Sequence, residues 1–320
     1  MSRKRLFNDG WEFVKTPFGT DMEALKEWEG KFAHVDIPHD WLIYDTLHLY
    51  ETATGWYRKR FSVDGGDGQR RFLRFDGVYM DTRVYVNGKQ AGEWKYGYST
   101  FEFEITKLLQ PGENEVAVRV DHHDPNTRWY SGAGIYRNVW LLTAPETYLV
   151  SDGIYVVSRR DGDGFCVEIS AEVGGASEKD AEGIGASAKI EYDGKIVAEG
   201  VLNHGKNETG VTLSDAAEIA LTGTLRVENP LLWDAENPNL YRLAVTLSNG
   251  DSDMVTIGFR EFAYEPDTGF WANGKNVKLN GVCEHHDLGA LGAAFNKEAM
   301  RRRMKTLKKM GVNSIRTSHN

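Results

Sequence analysis

The chain has 320 residues, of which 41% are hydrophobic and 27% charged, with a formal net charge of −9. That length predicts two or three domains, and the acidic balance argues against nucleic acid as a partner, because phosphates need a basic surface. Two distant cysteines, Cys166 and Cys283, suggest neither a disulfide framework nor the spacing of a metal site.

The basic start MSRKRLFNDGWEFV lacks the apolar run and cleavage site of a signal peptide, and no segment reaches the length of a membrane span. The expected protein is cytoplasmic and has no membrane partner.

From residue 1 to 145 the pattern is that of an all-β sandwich. Arg71-Phe72-Leu73-Arg74-Phe75, Phe101-Glu102-Phe103-Glu104-Ile105 and Val116-Ala117-Val118-Arg119-Val120 alternate with period two, as half-buried strands do. Val84-Tyr85-Val86 runs into Asn87-Gly88, a dipeptide that tolerates positive φ and so predicts a hairpin turn. Residues 146–264 repeat this character: Phe165–Ile169, Ala188–Tyr192 and Leu243–Leu247 alternate, and Asp193-Gly194 supplies a second hairpin. Some seven strand candidates suit an immunoglobulin-like sandwich. The small and acidic residues of Gly174–Gly185 read as a mobile loop.

After Pro266 the pattern changes to strand, helix, strand. Asn276–Val282 reads as a strand. Asn296 is the expected N-cap of a helix through Met310, with Met300, Met304 and Leu307 on its apolar face and Gly311 at C′. Val312–Arg316 reads as the second strand. The helix carries Arg301, Arg302, Arg303, Lys305, Lys308 and Lys309, which at this net charge read as a solvated face and not as a nucleic-acid patch. One βαβ unit leaves both faces uncovered, so residues from about 265 are expected to fray or to dock on a neighbour.

Seven segments carry a family resemblance, in order along the chain: Gly55-Trp56-Tyr57-Arg58, Val86-Asn87-Gly88, Trp129–Arg137 (WYSGAGIYR), Asn229–Trp233, Gly258-Phe259-Arg260, Leu279–Asp287 and Ile315–Asn320. Together they resemble the front of family 2 glycoside hydrolases, the β-galactosidase and β-glucuronidase group. The resemblance implies a jelly-roll sugar-binding domain over 1–145, an immunoglobulin-like β-sandwich over 146–264, and the start of a (β/α)8 barrel over 265–320. It also implies a retaining exo-β-glycosidase. Such enzymes work with two glutamates about 5–5.5 Å apart, one as acid/base and the other as nucleophile. Neither catalytic glutamate falls within residues 1–320, so these residues alone are expected to be inactive. The ending of the chain resembles the β-galactosidase branch, with β-glucuronidase and a non-catalytic carbohydrate-binding module as alternatives.

The resemblance places His285 and His319 in the sugar subsite. In a barrel the rim at the strand C-termini holds the active site. His285, His286 and Asp287 follow the first expected barrel strand, and His319 and Asn320 follow the second. Neutral imidazoles both donate and accept, which suits sugar hydroxyls. His286 is expected to point to the opposite face from His285. Arg128 stands where the resemblance places an aspartate that reaches the sugar; an arginine there either faces a uronic carboxylate or stacks structurally. Trp129 and Tyr130 are candidates either for a sugar platform or for the sandwich core. Cys283 with His285 and His286 lacks a second ligand pair, so no metal site is expected. No cofactor is expected in these residues, although family members carry Mg²⁺ or Na⁺ near the catalytic site. Glu284 has no carboxylate partner for catalysis. The expected partner is a carbohydrate substrate, and homo-oligomerisation stays open.

Overall fold

The computed structural model describes residues 3–65, 68–126, 129–176, 183–205 and 219–317. Residues 3–144 contribute strands β1 (Arg3–Leu6), β2 (Trp11–Thr16), β3 (Ala33–Val35), β4 (Ala53–Val63), β5 (Arg70–Phe75), β6 (Thr82–Val86), β7 (Lys89–Trp94), β8 (Phe101–Glu104), β9 (Gly112–His122) and β10 (Val139–Ala144). One sheet runs β3-β2-β4-β9-β6-β7 and the other β1-β10-β5-β8. The longest pairing is β4 with β9, in antiparallel register from Ala53↔His122 to Val63↔Gly112.

Alternation decides which side chains meet between these sheets. In β6, Thr82, Val84 and Val86 are buried while Arg83 and Tyr85 are partly exposed. Val84 and Val86 join Trp11, Tyr57, Leu73, Phe75, Val118 and Ile135 in the core. Full burial of one such aliphatic side chain contributes about 1.5–3 kcal/mol. Asn87 and Gly88 adopt φ of +50° and +75° between β6 and β7, the turn expected from the dipeptide. A short helix, α1 (Met22–Lys26), is capped by Asp21, which accepts from the Ala24 amide at 2.9 Å. Met22 and Leu25 of α1 pack with Phe32 over Val14 and Trp56.

The second β region comprises β11 (Tyr148–Asp161), β12 (Gly164–Gly174), β13 (Ala186–Tyr192), β14 (Lys195–His204), β15 (Ile219–Val227), β16 (Tyr241–Leu247) and β17 (Ser252–Ile257). Their order is β11-β12-β15-β14-β13-β16-β17. Strand β14 joins the two layers: its residues to Leu202 pair with β13, and Asn203 and His204 pair with β15. The core is almost wholly apolar, built on Phe165, Val167, Ile190, Leu243, Val245 and Phe259. The loop expected over Gly174–Gly185 lies largely outside the described residues. Strands β18 (Phe262–Glu265), β19 (Gly269–Ala272) and β20 (Lys275–Asn276) form a small separate sheet.

The parallel pair then follows as β21 (Gly281–Glu284) and β22 (Ser314–Thr317), with Val282 opposite Ile315 and α2 (Lys297–Lys309) between them. The first of these strands departs from expectation. Val277 and Leu279 imitate strand alternation, yet Asn273-Gly274, both at positive φ, fold Lys275–Asn276 back onto β19. The parallel strand starts only at Gly281, after Asn280 and Asn313 are clasped together: the Asn313 side chain accepts from the Asn280 amide at 2.8 Å, and the Asn313 amide donates to the Asn280 carbonyl at 3.1 Å. The expected cap holds, with Asn296 accepting from the Ala299 amide at 2.9 Å.

The chain forms two compact units that do not follow sequence order. One is Ala144–Leu279 together with Arg3; the other joins Lys4–Thr143 to the described residues from Asn280 onward. Of the segment expected to fray, the described residues from Asn280 onward share a unit with the first sandwich, while residues 265–279 belong to the other unit.

Candidate functional site

The loop leaving β21 carries His285, His286 and Asp287, and α2 holds it from below. Residues Ala299, Met300, Arg303, Met304 and Leu307 are the half-buried stripe of α2, at the i, i+3, i+4 spacing of one helix face. Arg303 is therefore not part of the solvated basic face, which corrects the reading from charge alone. Its Nη1 donates to Glu284 Oε2 at 3.1 Å and to the His285 carbonyl at 3.0 Å, and its Nη2 donates to the Asp287 carbonyl. Glu284 is accordingly the partner of a structural cation.

The first sandwich supplies the opposite wall. His286 turns toward it: Nε2 donates to the Ser131 carbonyl at 3.0 Å, and the ring packs against Tyr98 and Tyr136. Burial holds the His286 pKa below the ordinary value, and the bond to a carbonyl puts a proton on Nε2. His285 lies on the other side, its ring edge-on to Trp129 at 6.3 Å. The two adjacent histidines thus diverge, as a strand end requires.

Beneath this contact lies a buried carboxylate, Asp40, which is 1% exposed. Oδ1 accepts from the amides of Leu42 at 3.1 Å and Ala133 at 3.0 Å. Oδ2 accepts from the Tyr130 hydroxyl at 2.5 Å and from the amide of Ala293 at 2.8 Å, at the far end of the histidine loop. Four donors around one carboxylate satisfy it without a cation. The seat is tight: a Cβ on Gly132 would meet the Ala293 Cβ at 2.3 Å, and one on Gly292 would meet Asp40 Oδ2 at 2.4 Å. Both glycines sit at positive φ, +67° and +58°. The Phe295 amide adds a bond to the Tyr136 carbonyl at 2.9 Å.

Further buried polar groups brace this wall. His122 lies 2.5 Å from the Glu51 carbonyl through Nδ1, so Nδ1 donates and Nε2 accepts from the Ser131 hydroxyl at 3.1 Å. His39 Nδ1 lies 2.7 Å from the Tyr57 hydroxyl. Burial lowers the His39 pKa to about 4 and depresses His122 as well, while it raises Tyr57 and Tyr130 above the ordinary phenol value.

Of the residues expected at a sugar site, His285 and Asp287 share one loop, and Trp129 is 56% exposed beside His285. Arg128, His319 and Asn320 lie outside the described residues. Tyr130, at 5% exposure, belongs to the buried Asp40 cluster and the sandwich core and offers no platform. Cys283 is exposed, with its Sγ 3.8 Å from Arg316. Among the described residues no group of three or more His, Cys, Asp or Glu is arranged to hold a metal, and no helix is long and apolar enough to cross a membrane. The arrangement offers an exposed indole beside an imidazole, groups that suit the C–H face and the hydroxyls of a sugar.

Comparison with known proteins gives three adjacent family matches. Residues 31–145 match the sugar binding domain of glycosyl hydrolases family 2, residues 152–260 match a second glycosyl hydrolases family 2 region, and residues 266–320 match that family's TIM barrel domain. A β-galactosidase of Bacteroides ovatus is 36% identical over 98% of this chain and 38% of its own length. A putative β-glucuronidase of Formosa agariphila is 34% identical over 98% of this chain and 30% of its own. Among solved structures, a putative β-galactosidase from Bacteroides fragilis superposes with a TM-score of 0.87 at 29% identity, covering 100% of this chain and 50% of that one. A Bacteroides uniformis β-glucuronidase gives 0.84 at 30% identity, covering 100% and 40%. The chain spans less than half the length of the curated relatives it matches.

Proposed function

The chain belongs to glycosyl hydrolases family 2, and from that premise we propose that it is the sugar-binding and first barrel portion of a retaining exo-β-glycosidase that acts on β-galactosides. In this reading Trp129, His285 and Asp287 line the sugar subsite, together with Arg128, His319 and Asn320. The two catalytic glutamates are contributed by barrel sequence after residue 320. They act as acid/base and nucleophile about 5–5.5 Å apart, and residues 1–320 alone do not hydrolyse glycosides.

The observation that carries the reading is the position of the His285–Asp287 loop. It follows the C-terminal end of a parallel strand, where barrel enzymes place their chemistry, and it lies against the sandwich loop that bears Trp129 and Ser131. A free-standing carbohydrate-binding module has no need of such a loop.

The test is a panel of nitrophenyl β-glycosides, assayed on the 320-residue chain and on the polypeptide extended through a complete barrel. The extended protein is expected to turn over the galactoside fastest, and the shorter chain none. Turnover of the glucuronide alone would move the protein to the other branch. No turnover of galactoside, glucuronide or mannoside, or turnover by residues 1–320 alone, would overturn the reading.

A further inference from the structure

We infer that Arg303 is a positioning residue for the sugar subsite: its guanidinium sets the conformation of the His285–Asp287 loop and, through it, the direction of the His285 ring. The inference rests on the glycosidase reading for its catalytic consequence, and on geometry alone for its structural one.

Arg303 is the only charged residue on the half-buried stripe of α2, among Ala299, Met300, Met304 and Leu307. A helix that needed only to be soluble would keep its cations on the outer face, where Arg301, Arg302, Lys305, Lys308 and Lys309 already stand exposed. The inward arginine meets three acceptors on three of four consecutive residues: the Glu284 carboxylate and the carbonyls of His285 and Asp287. Its side chain is 26% exposed and that of Glu284 21%, so water competes weakly for these bonds. Carbonyls 285 and 287 must both face the helix to reach one guanidinium. That requirement fixes the backbone on either side of His286 and sends the two histidine rings to opposite sides, one to Ser131 and the other to Trp129.

The planar fork matters more than the charge. A lysine at 303 would bring a single point of positive charge and could not hold several divergent acceptors in one plane. Glu284 fixes the azimuth of the guanidinium, so Glu284→Gln weakens the same device from the other side without disturbing α2.

The test uses Arg303→Met, Arg303→Lys and Glu284→Gln, first in the 320-residue chain and then in the polypeptide with a complete barrel. In the shorter chain, hydrogen exchange at residues 285–288 is expected to quicken by about tenfold or more in Arg303→Met and by less in the other two. The His285 ring signals should shift, and exchange in β4 and β9 should stay as in the parent. In the longer protein, kcat/KM is expected to fall by about 100-fold in Arg303→Met, the scale of a displacement on the order of 1 Å at a reacting site, with most of the loss in kcat, and with partial recovery in Arg303→Lys. Unchanged exchange and unchanged His285 signals in Arg303→Met and Glu284→Gln would overturn the inference. So would a loosened loop in an enzyme with parent kinetics. If the unsubstituted longer protein hydrolyses no glycoside while the loop loosens as expected, the glycosidase reading fails and the positioning role of Arg303 stands.

Discussion

The two β regions solve the same packing problem with different interiors. The second, Ala144–Leu279, closes its core with Phe165, Val167, Ile190, Leu243 and Phe259, and among its described residues the buried polar ones reduce to Ser170, Glu172 and Asp251. The first buries His39, Asp40, Thr54, Asn114, Asp121, His122 and Ser131 along with its aromatics. A buried polar group costs stability unless every bond it can make is made, so an apolar core is the simpler solution wherever folding is the only demand. Of these, Asp40 and Ser131 meet the histidine loop directly and His122 bonds Ser131, whereas Asn114 bonds Asn87 and Gln110 at the other end of β9 and Thr54 bonds Asp121. Asp40 takes Ala293 of that loop together with Leu42, Tyr130 and Ala133 of the sandwich. Polar burial here marks a surface that has to receive another segment in one orientation.

The strongest way to break this contrast is Asp40→Asn. All four partners of Asp40 are donors, so an amide nitrogen must face at least one of them whichever way the side chain turns. The expected loss is about 3 kcal/mol, read as a lower urea midpoint of tryptophan fluorescence, since Trp11, Trp41 and Trp56 are all buried in this region. Exchange of the β12 and β16 amides in the second region should stay as in the parent. Equal loosening of both regions would show that Asp40 supports the whole chain and not one seat.

A smaller effect should come from acid. Burial holds His39 at about 4, whereas an unfolded histidine titrates near 6.5. Between those values the unfolded chain binds the extra proton, so stability falls as pH drops through the window and falls no further from this group below about 4. From pH 6.5 to 5 the loss from His39 is at most about 2 kcal/mol, and His122 and His286 are depressed in the same direction. The second region buries no histidine among its described residues. Thermal melts of the parent and of His39→Gln across this range should show a steeper loss for the parent. Parallel curves would remove His39 from the account.

Much of the scaffold was legible because alternation and turn dipeptides are local signals. Asn87-Gly88, Asp193-Gly194 and the Asn296 cap fold as their own chemistry dictates. The start of β21 was misread because Val277 and Leu279 alternate like a strand, while the clasp between Asn280 and Asn313 that begins the parallel pair joins residues far apart in sequence. Asp40 was invisible for the same reason, since two of its four partners come from the loop around residue 130 and a third from Ala293. Arg303 could have been found. Its spacing from Met300, Met304 and Leu307 puts it on their face, but grouping it with its basic neighbours hid that. Trp129 and Tyr130 could not be separated by type; the structure sends the first outward and the second to Asp40.

The central claim is that the histidine loop and the first sandwich are one folded unit. Native-state hydrogen exchange on the 320-residue chain tests it most directly, at the amides of Ala293 and Phe295, which donate to Asp40 and to the Tyr136 carbonyl. The account predicts protection at these two amides equal to that of β4 and β9, lost together in Asp40→Asn. Fast exchange at Ala293 and Phe295 beneath a fully protected sandwich would contradict it.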